Sequence, residues 1–394
     1  MFKHITRNIW LLSVVSLFTD FASEMLYPIM PIYLKSIGFS VMLIGVLEGL
    51  AEAVAGLSKG YFGQKSDVLQ KRLPFVQLGY SLSAISKPMM ALFVTPLWVL
   101  FARVTDRIGK GIRTGARDAL LSDETTVANK GRIFGFHRSM DTFGAVLGPA
   151  VALLFLYHFP GDYVNLFYLA FFPGVLAIVA TLLIKEKRKD PEQVKVKQKV
   201  SFLSFVKYWK TAPQTYRIWA GALLFFALIN SSDVFLLLKM KENGLSDQYV
   251  IGIYIFYNLV YAIFAYPIGI VADKIGLKKM LFMGIILFVC AYMGMYFSGK
   301  FPGYTIFILV FSLYGLYAAA TEGVAKALIS NISEPSETAT AIGTYSAFQS
   351  IAALLASSLA GYLWFSFGSS AVFAFSALGA VVTLFFLTFQ SYHN

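Results

Sequence analysis

The sequence predicts an all-α polytopic membrane protein: twelve transmembrane helices in two pseudo-symmetric six-helix bundles. Three observations carry that expectation: composition, a regular succession of apolar runs, and an internal repeat. Of 394 residues, 57% are hydrophobic and 14% charged, against roughly 25% charged in an ordinary soluble domain. Mean hydropathy is +0.67. A water-soluble fold of this length has no way to cover so much apolar surface.

Apolar runs of about 20 residues are long enough to cross a bilayer. They fall near 9–34, 41–62, 74–94, 97–121, 133–157 and 163–184, then near 217–238, 248–271, 277–297, 303–329, 340–362 and 371–390. The hydrophilic stretch KEKRKDPEQVKVKQKVSFLSFVKYWK (185–210) separates the two sets. The expected domains are therefore an N-terminal bundle at 1–184, a basic cytoplasmic linker at 185–216 and a C-terminal bundle at 217–394. The opening MFKHITRNIW places basic residues before an apolar run, as a signal peptide does. That run is too long and lacks a clear small-x-small cleavage site, so it reads as an uncleaved first span.

Cations crowd the loops of one side. Lys59, Lys65, Lys71, Arg72, the run from Lys185 to Arg217, Lys274, Lys278 and Lys279 stand against Lys35, Lys239, Lys241 and Lys300 on the other. The positive-inside bias puts both termini in the cytoplasm. The expected location is a plasma membrane, of the bacterial inner-membrane kind.

Much of the net charge of +12 sits in the linker, so it speaks for a loop flanking spans and against nucleic acid. Cys290 is the only cysteine, which excludes an internal disulfide. HExxH and GxxxxGK[ST] are absent, and RIGKGIRTG has Gly-Lys without the phosphate-loop spacing. The expectation is no enzyme, no metal and no cofactor. Transport would then draw on an ion or solute gradient, with a small-molecule substrate and the lipid bilayer as partners.

The halves repeat. GYFGQKSDVLQKRLP (60–74) follows span 2 and GIVADKIGLKKML (269–281) follows span 8. Gly63 and Asp67 match Gly269 and Asp273 at an offset of 206. DALLSD (118–123) matches KALISN (326–331), and Gly135 matches Gly343, at 208. Duplication of this kind is a transporter feature, with the site between the repeats.

On these residues the chain resembles the major facilitator superfamily along its whole length. That family's inner loop after span 2 reads roughly GxxxDRxGRR. Gly63, Asp67, Lys71 and Arg72 fit it, while Val68 and Gln70 depart from it. The second copy fits with Gly269, Asp273, Lys274, Gly276, Lys278 and Lys279. Arg103 with Gly109 and Gly111 fits the span 4 pattern, and Gly144, Gly148 and Pro149 fit the GxxxGP of the antiporter branch. The resemblance implies a monomeric, proton-linked antiporter, more often an exporter. It also implies that spans 1, 4, 7 and 10 line a central cavity. The loop-2 residues read as gating latches. GxxxGP reads equally as a close helix contact with a proline kink.

Charge inside the spans is the second guide, because it is costly there. At about 100° per residue, Arg103, Asp106, Arg107, Lys110, Arg113, Arg117 and Asp118 share about 140° of span 4. Arg103, Asp106 and Arg107 follow Pro96 by about 10–16 Å of helix, too deep for snorkelling to explain easily. Arg117 and Asp118 sit nearer the inner interface, where snorkelling is an equal reading. Span 1 carries Asp20 and Glu24, span 2 Glu48 and Glu52, each pair one helical turn apart. Such carboxylates serve as proton carriers or as partners for the arginines. His137 and Asp141 in span 5 read as a hydrogen-bonded pair or as a pH sensor. Asn230, Asp233, Glu322 and Lys326 supply polar contacts in the second half, Glu322 and Lys326 also reading as an internal pair. Lys87 is a further span cation with no assigned partner.

The leading expectation is proton-coupled alternating access for a small organic, anionic or amphipathic solute, with export favoured. Arg103, Arg107, Lys110 and Arg113, with Asn230, Asp233, Glu322 and Lys326, form the substrate wall. Asp20, Glu24, Glu48, Glu52, Asp106, His137 and Asp141 handle protons. A multidrug exporter of lipophilic cations and an anion–proton symporter stay open as alternatives.

Overall fold

The computed structural model describes residues 5–186, 201, 203–300 and 304–392. Residues 187–200 of the basic linker and the side chain of Glu48 lie outside the described residues. What is described is helical, joined by short turns.

Helix α1 (Arg7–Leu26) starts at Thr6, whose hydroxyl accepts from Ile9 N at 3.3 Å. It stops before Pro28, and α2 (Met30–Ser36) begins with Pro31 in its first turn. The expected continuous span 9–34 is thus two helices, because a proline has no N–H to continue the ladder yet suits a helix start. Helix α3 (Val41–Leu69) is capped by Ser40, which accepts from Leu43 N at 3.2 Å. Helices α4 (Leu73–Leu92) and α5 (Pro96–Asp123) both open with proline in the first turn. Helices α6 (Lys130–His158) and α7 (Tyr163–Leu182) follow.

A short helix not anticipated from sequence, α8 (Phe205–Thr211), precedes the next span. That span is also broken, into α9 (Gln214–Ile229) and α10 (Val234–Glu242). The interruption is Asn-Ser-Ser-Asp, 230–233, residues whose side chains compete with helical backbone bonds. Then follow α11 (Asp247–Ile275), α12 (Leu277–Phe297), α13 (Tyr304–Asn331), α14 (Thr338–Phe367) and α15 (Ser369–Tyr392).

Among the described residues, nine helical segments are long and apolar enough to cross a bilayer, α9 and α10 counting together. Helix α5 is not one of them, because its ionisable side chains are too many. Contacts group the chain into two compact units, Met1–Val127, Met140–Ala212 and Ser330–Ala347 in one, Ala128–Ser139, Pro213–Ile329 and Phe348–Asn394 in the other. In the first, α5 packs along α3 and α4, and α7 along α1 and α4. Met25, Leu34, Val99 and Phe167 belong to its apolar core. In the second, α12 and α9 pack on α15.

Candidate functional site

The charged stripe is positioned by glycines. Gly79 of α4 and Gly109 of α5 face each other so closely that a methyl group on either would lie 2.6 Å from the other's carbonyl oxygen. On the other side, a methyl on Gly111 would collide with Ser58 of α3. Helix α5 is therefore held tightly against both neighbours, and its polar side chains must find partners on them.

They do. Asp106 accepts from Lys87 Nζ of α4 at 2.8 Å, and both are buried. Lys87, which lacked a partner in the sequence, neutralises the stripe's deepest acid. Arg113 donates to Ser83 Oγ at 2.5 Å and lies 4.5 Å from the centre of the Tyr80 ring, a cation–π contact. Arg113, expected in the substrate wall, is thereby held by α4. Arg117 pairs with Asp118 at 2.8 Å and donates to Ser16 Oγ at 3.3 Å. Ser16 donates in turn to Asp141 of α6. These groups form one buried polar network across α1, α5 and α6, so Asp118 and Arg117 serve structure rather than snorkelling.

The remaining part of the stripe is uneven in exposure. Arg103 is buried. Arg107 stands 3.8 Å from Glu52 of α3. Lys110 lies at the middle of α5 with its side chain exposed. Its ammonium makes no hydrogen bond or ion pair with another described residue, although its charge acts on Glu52 beside those of Arg107, Lys59 and Arg103. Asp20 and Glu24 are half-buried on α1, and His137 is buried on α6. A methyl on Gly148 would sit 2.6 Å from Met25 N, and one on Gly144 would strike Leu17 O. The GxxxGP residues thus seat α6 against α1, the packing reading of that pattern.

The two loop copies behave as a pair. Asp67, at the end of α3, accepts from Thr340 N at 2.6 Å and Thr340 Oγ1 at 2.9 Å in the first turn of α14. Asp273, at the end of α11, accepts from Gly131 N at 2.7 Å and from Arg132 N and Nε at 3.0 Å in the first turn of α6. Each carboxylate therefore answers the unpaired N–H groups and positive dipole end of a helix. Gly63 and Gly269 allow the approach, since a methyl on them would strike Ala339 O and Gly131 O. Arg72 ties the first copy down, meeting Asp67 at 3.2 Å and also Asp123. Glu186, which sequence reasoning missed, caps α4 by accepting from Arg72 N at 2.8 Å and Leu73 N at 3.0 Å. Lys274 is exposed.

In the second unit, the break between α9 and α10 presents Asp233 to tyrosines. Its carboxylate accepts from Tyr314 OH at 2.6 Å and Tyr257 OH at 3.1 Å. Asn230 donates to Tyr317 OH at 2.8 Å. No Lys, Arg or His among the described residues pairs with Asp233. Glu322 meets Arg138 at 4.0 Å, and Arg138 also bonds Tyr261 OH; Lys326 is half-buried further along α13. Among the described residues no group of three or more His, Cys, Asp or Glu is placed to hold a metal.

A duplicated, polytopic helical membrane protein with paired aspartate–helix latches and ionisable groups lining its spans is a transporter by architecture. The comparisons agree. The profile of the Major Facilitator Superfamily matches residues 12–256 and 234–394, and the chain belongs to that family. An uncharacterized MFS-type transporter of Methanocaldococcus jannaschii is 32% identical over 393 residues, 98% of this chain and 96% of that one. Among solved structures, the human organic anion transporter MFSD10 superposes with a TM-score of 0.78 at 15% identity, over 97% of this chain and 99% of that one. FucP, in an outward conformation, gives 0.72 at 12% identity over 98% and 99%. At those identities the likeness is one of fold. The protein is thus a multi-pass membrane transporter for a small molecule, not an enzyme.

Proposed function

We propose that the chain moves a small organic anion, or an amphipathic solute with an anionic group, by proton-coupled alternating access. In this reading it has twelve spans in two six-helix halves and both termini in the cytoplasm of a bacterial-type inner membrane. The observation that carries it is Lys110: an exposed ammonium at the centre of α5, beside the loose Arg107–Glu52 pair. A cation at that depth is kept for a purpose, and its neighbours on α5 are committed elsewhere, Asp106 to Lys87 and Arg113 to Ser83 and Tyr80. Export is the proposed direction, although Gly144 and Gly148 are accounted for by their contact with α1 and give it no separate support.

For the proton, Asp233 is a better candidate than Asp106 or Asp118. Protonating Asp106 would take the paired carboxylate from Lys87, and protonating Asp118 would take it from Arg117; a buried cation that loses its counter-charge is heavily penalised. Asp233 is held by two hydroxyls, which can turn from donating to accepting. The second reading, transport of a lipophilic ammonium, is favoured by the same carboxylate among aromatic rings. Proteoliposomes under an imposed pH gradient separate the two. Uptake of organic anions that fails in Lys110→Ala supports the first; uptake of ammonium compounds that survives Lys110→Ala and fails in Asp233→Asn supports the second and overturns the first.

A further inference from the structure

Helix α8 has two committed residues and an uncommitted face. Phe205 and Tyr208 are buried. The Phe205 ring lies against Gly60 of α3, where a methyl would come within 2.5 Å of it. Phe205 O accepts from Thr344 Oγ1 of α14 at 3.4 Å, and Ser204 Oγ lies 2.5 Å from Gln64 Oε1 of α3. The inner face therefore bridges the end of α3 and the start of α14, the two elements that Asp67 and Thr340 join. Tyr208 sits within the field of Glu337, Asp67 and Glu334, and burial, with those charges, pushes its phenol up.

The opposite face is different. At about 100° per residue, Val206, Lys210 and Lys207 fall together on the side away from Phe205, and Leu203 precedes them. Leu203 is 56% exposed and Val206 41%, and both lysines are exposed. Only Ala212 and Pro213 separate α8 from α9, which opens a segment apolar enough to cross a bilayer. Chain connectivity thus keeps this face at the level where spans leave the membrane. Exposed aliphatic side chains interleaved with ammonium groups at that level match the boundary between acyl chains and phosphates. The run that precedes α8 in the sequence, KEKRKDPEQVKVKQK, has the same sign of charge.

We propose that the outer face of α8, through Leu203, Val206, Lys207 and Lys210, binds the headgroups of anionic phospholipids in the adjacent leaflet, and so holds the Asp67–Thr340 latch closed. The inference rests on the packing of α8 against α3 and α14 and on its two-residue link to α9 in the sequence, not on the substrate or the direction of transport, and the test reads neither.

The test uses the full chain in nanodiscs of phosphatidylcholine alone or mixed with phosphatidylglycerol, and follows hydrogen exchange of the peptide containing Thr340, whose amide is bonded to Asp67. The expected result is slower exchange with phosphatidylglycerol, on the order of tenfold for two lysines. The difference should vanish in Lys207→Gln/Lys210→Gln and shrink in Leu203→Ser/Val206→Ser. All four side chains are exposed, and an unchanged melting temperature in phosphatidylcholine confirms intact folding. Equal exchange in the two lipids, a difference that persists in the double lysine variant, or equal slowing by inorganic phosphate in phosphatidylcholine discs would each overturn the proposal.

Discussion

Lys87 Nζ and Asp106 Oδ1 lie 2.8 Å apart, both side chains buried between α4 and α5. A pair so placed is not chiefly a source of stability, because two ions have been taken from water to make it. Its consequence is asymmetry: the deepest acid of the α5 stripe is neutralised by another helix, while the Lys110 ammonium, exposed on that stripe, has no hydrogen bond or ion pair among the described residues.

Removing one partner should therefore cost far more than removing both. Lys87→Met or Asp106→Asn alone is expected to destabilise by about 3–5 kcal/mol. The double variant should recover most of that loss. Thermal unfolding of the four proteins in detergent is the check, and additive losses would contradict the pairing.

The two latches should respond alike. Asp67→Asn and Asp273→Asn each keep shape but lose the negative charge that faces a helix N-terminus. A loss of about 1–2 kcal/mol is expected from each. Hydrogen exchange should quicken at Thr340 in the first variant and at Gly131 and Arg132 in the second, and not the reverse.

Position 70 carries a local conflict. Gln70 ends α3 at φ 49°, in left-handed backbone, where the other copy of the loop ends α11 on Gly276 at φ 100°. Its side chain compensates by donating to Asp67 O at 2.6 Å. Gln70→Val, which loses that bond and adds a β-branch, should cost about 1–3 kcal/mol. Gln70→Gly should be tolerated. A melting-temperature comparison of the two variants decides it, and equal losses would count against backbone strain.

Much of this architecture was legible because lipid imposes it. Apolar runs of bilayer length have few other uses, and the offset of 206 between Asp67 and Asp273 predicted that they act as equivalents. The single stripe of α5 followed from helical angles alone. The partners on other helices were not legible. Lys87 reaches Asp106 only because Gly79 and Gly109 let two backbones touch, and that register belongs to tertiary packing. Glu186 capping α4 is a contact across 113 residues between it and Leu73. The break at Pro28 was signalled by the proline itself, whereas the break at 230–233 lay within a stretch that hydropathy alone reads as continuous. Helix α8 is seven residues long, too short for periodicity to announce it.

The central claim is that Lys110 receives an anionic substrate. The direct measurement is initial uptake of organic anions into proteoliposomes by wild type, Lys110→Arg and Lys110→Ala, with KM and maximal rate determined separately. The account predicts that Lys110→Ala raises KM about tenfold or more, the loss of one charge-assisted contact, while Lys110→Arg retains most of the affinity. Unchanged anion KM in Lys110→Ala, with the protein folded and active, would contradict it.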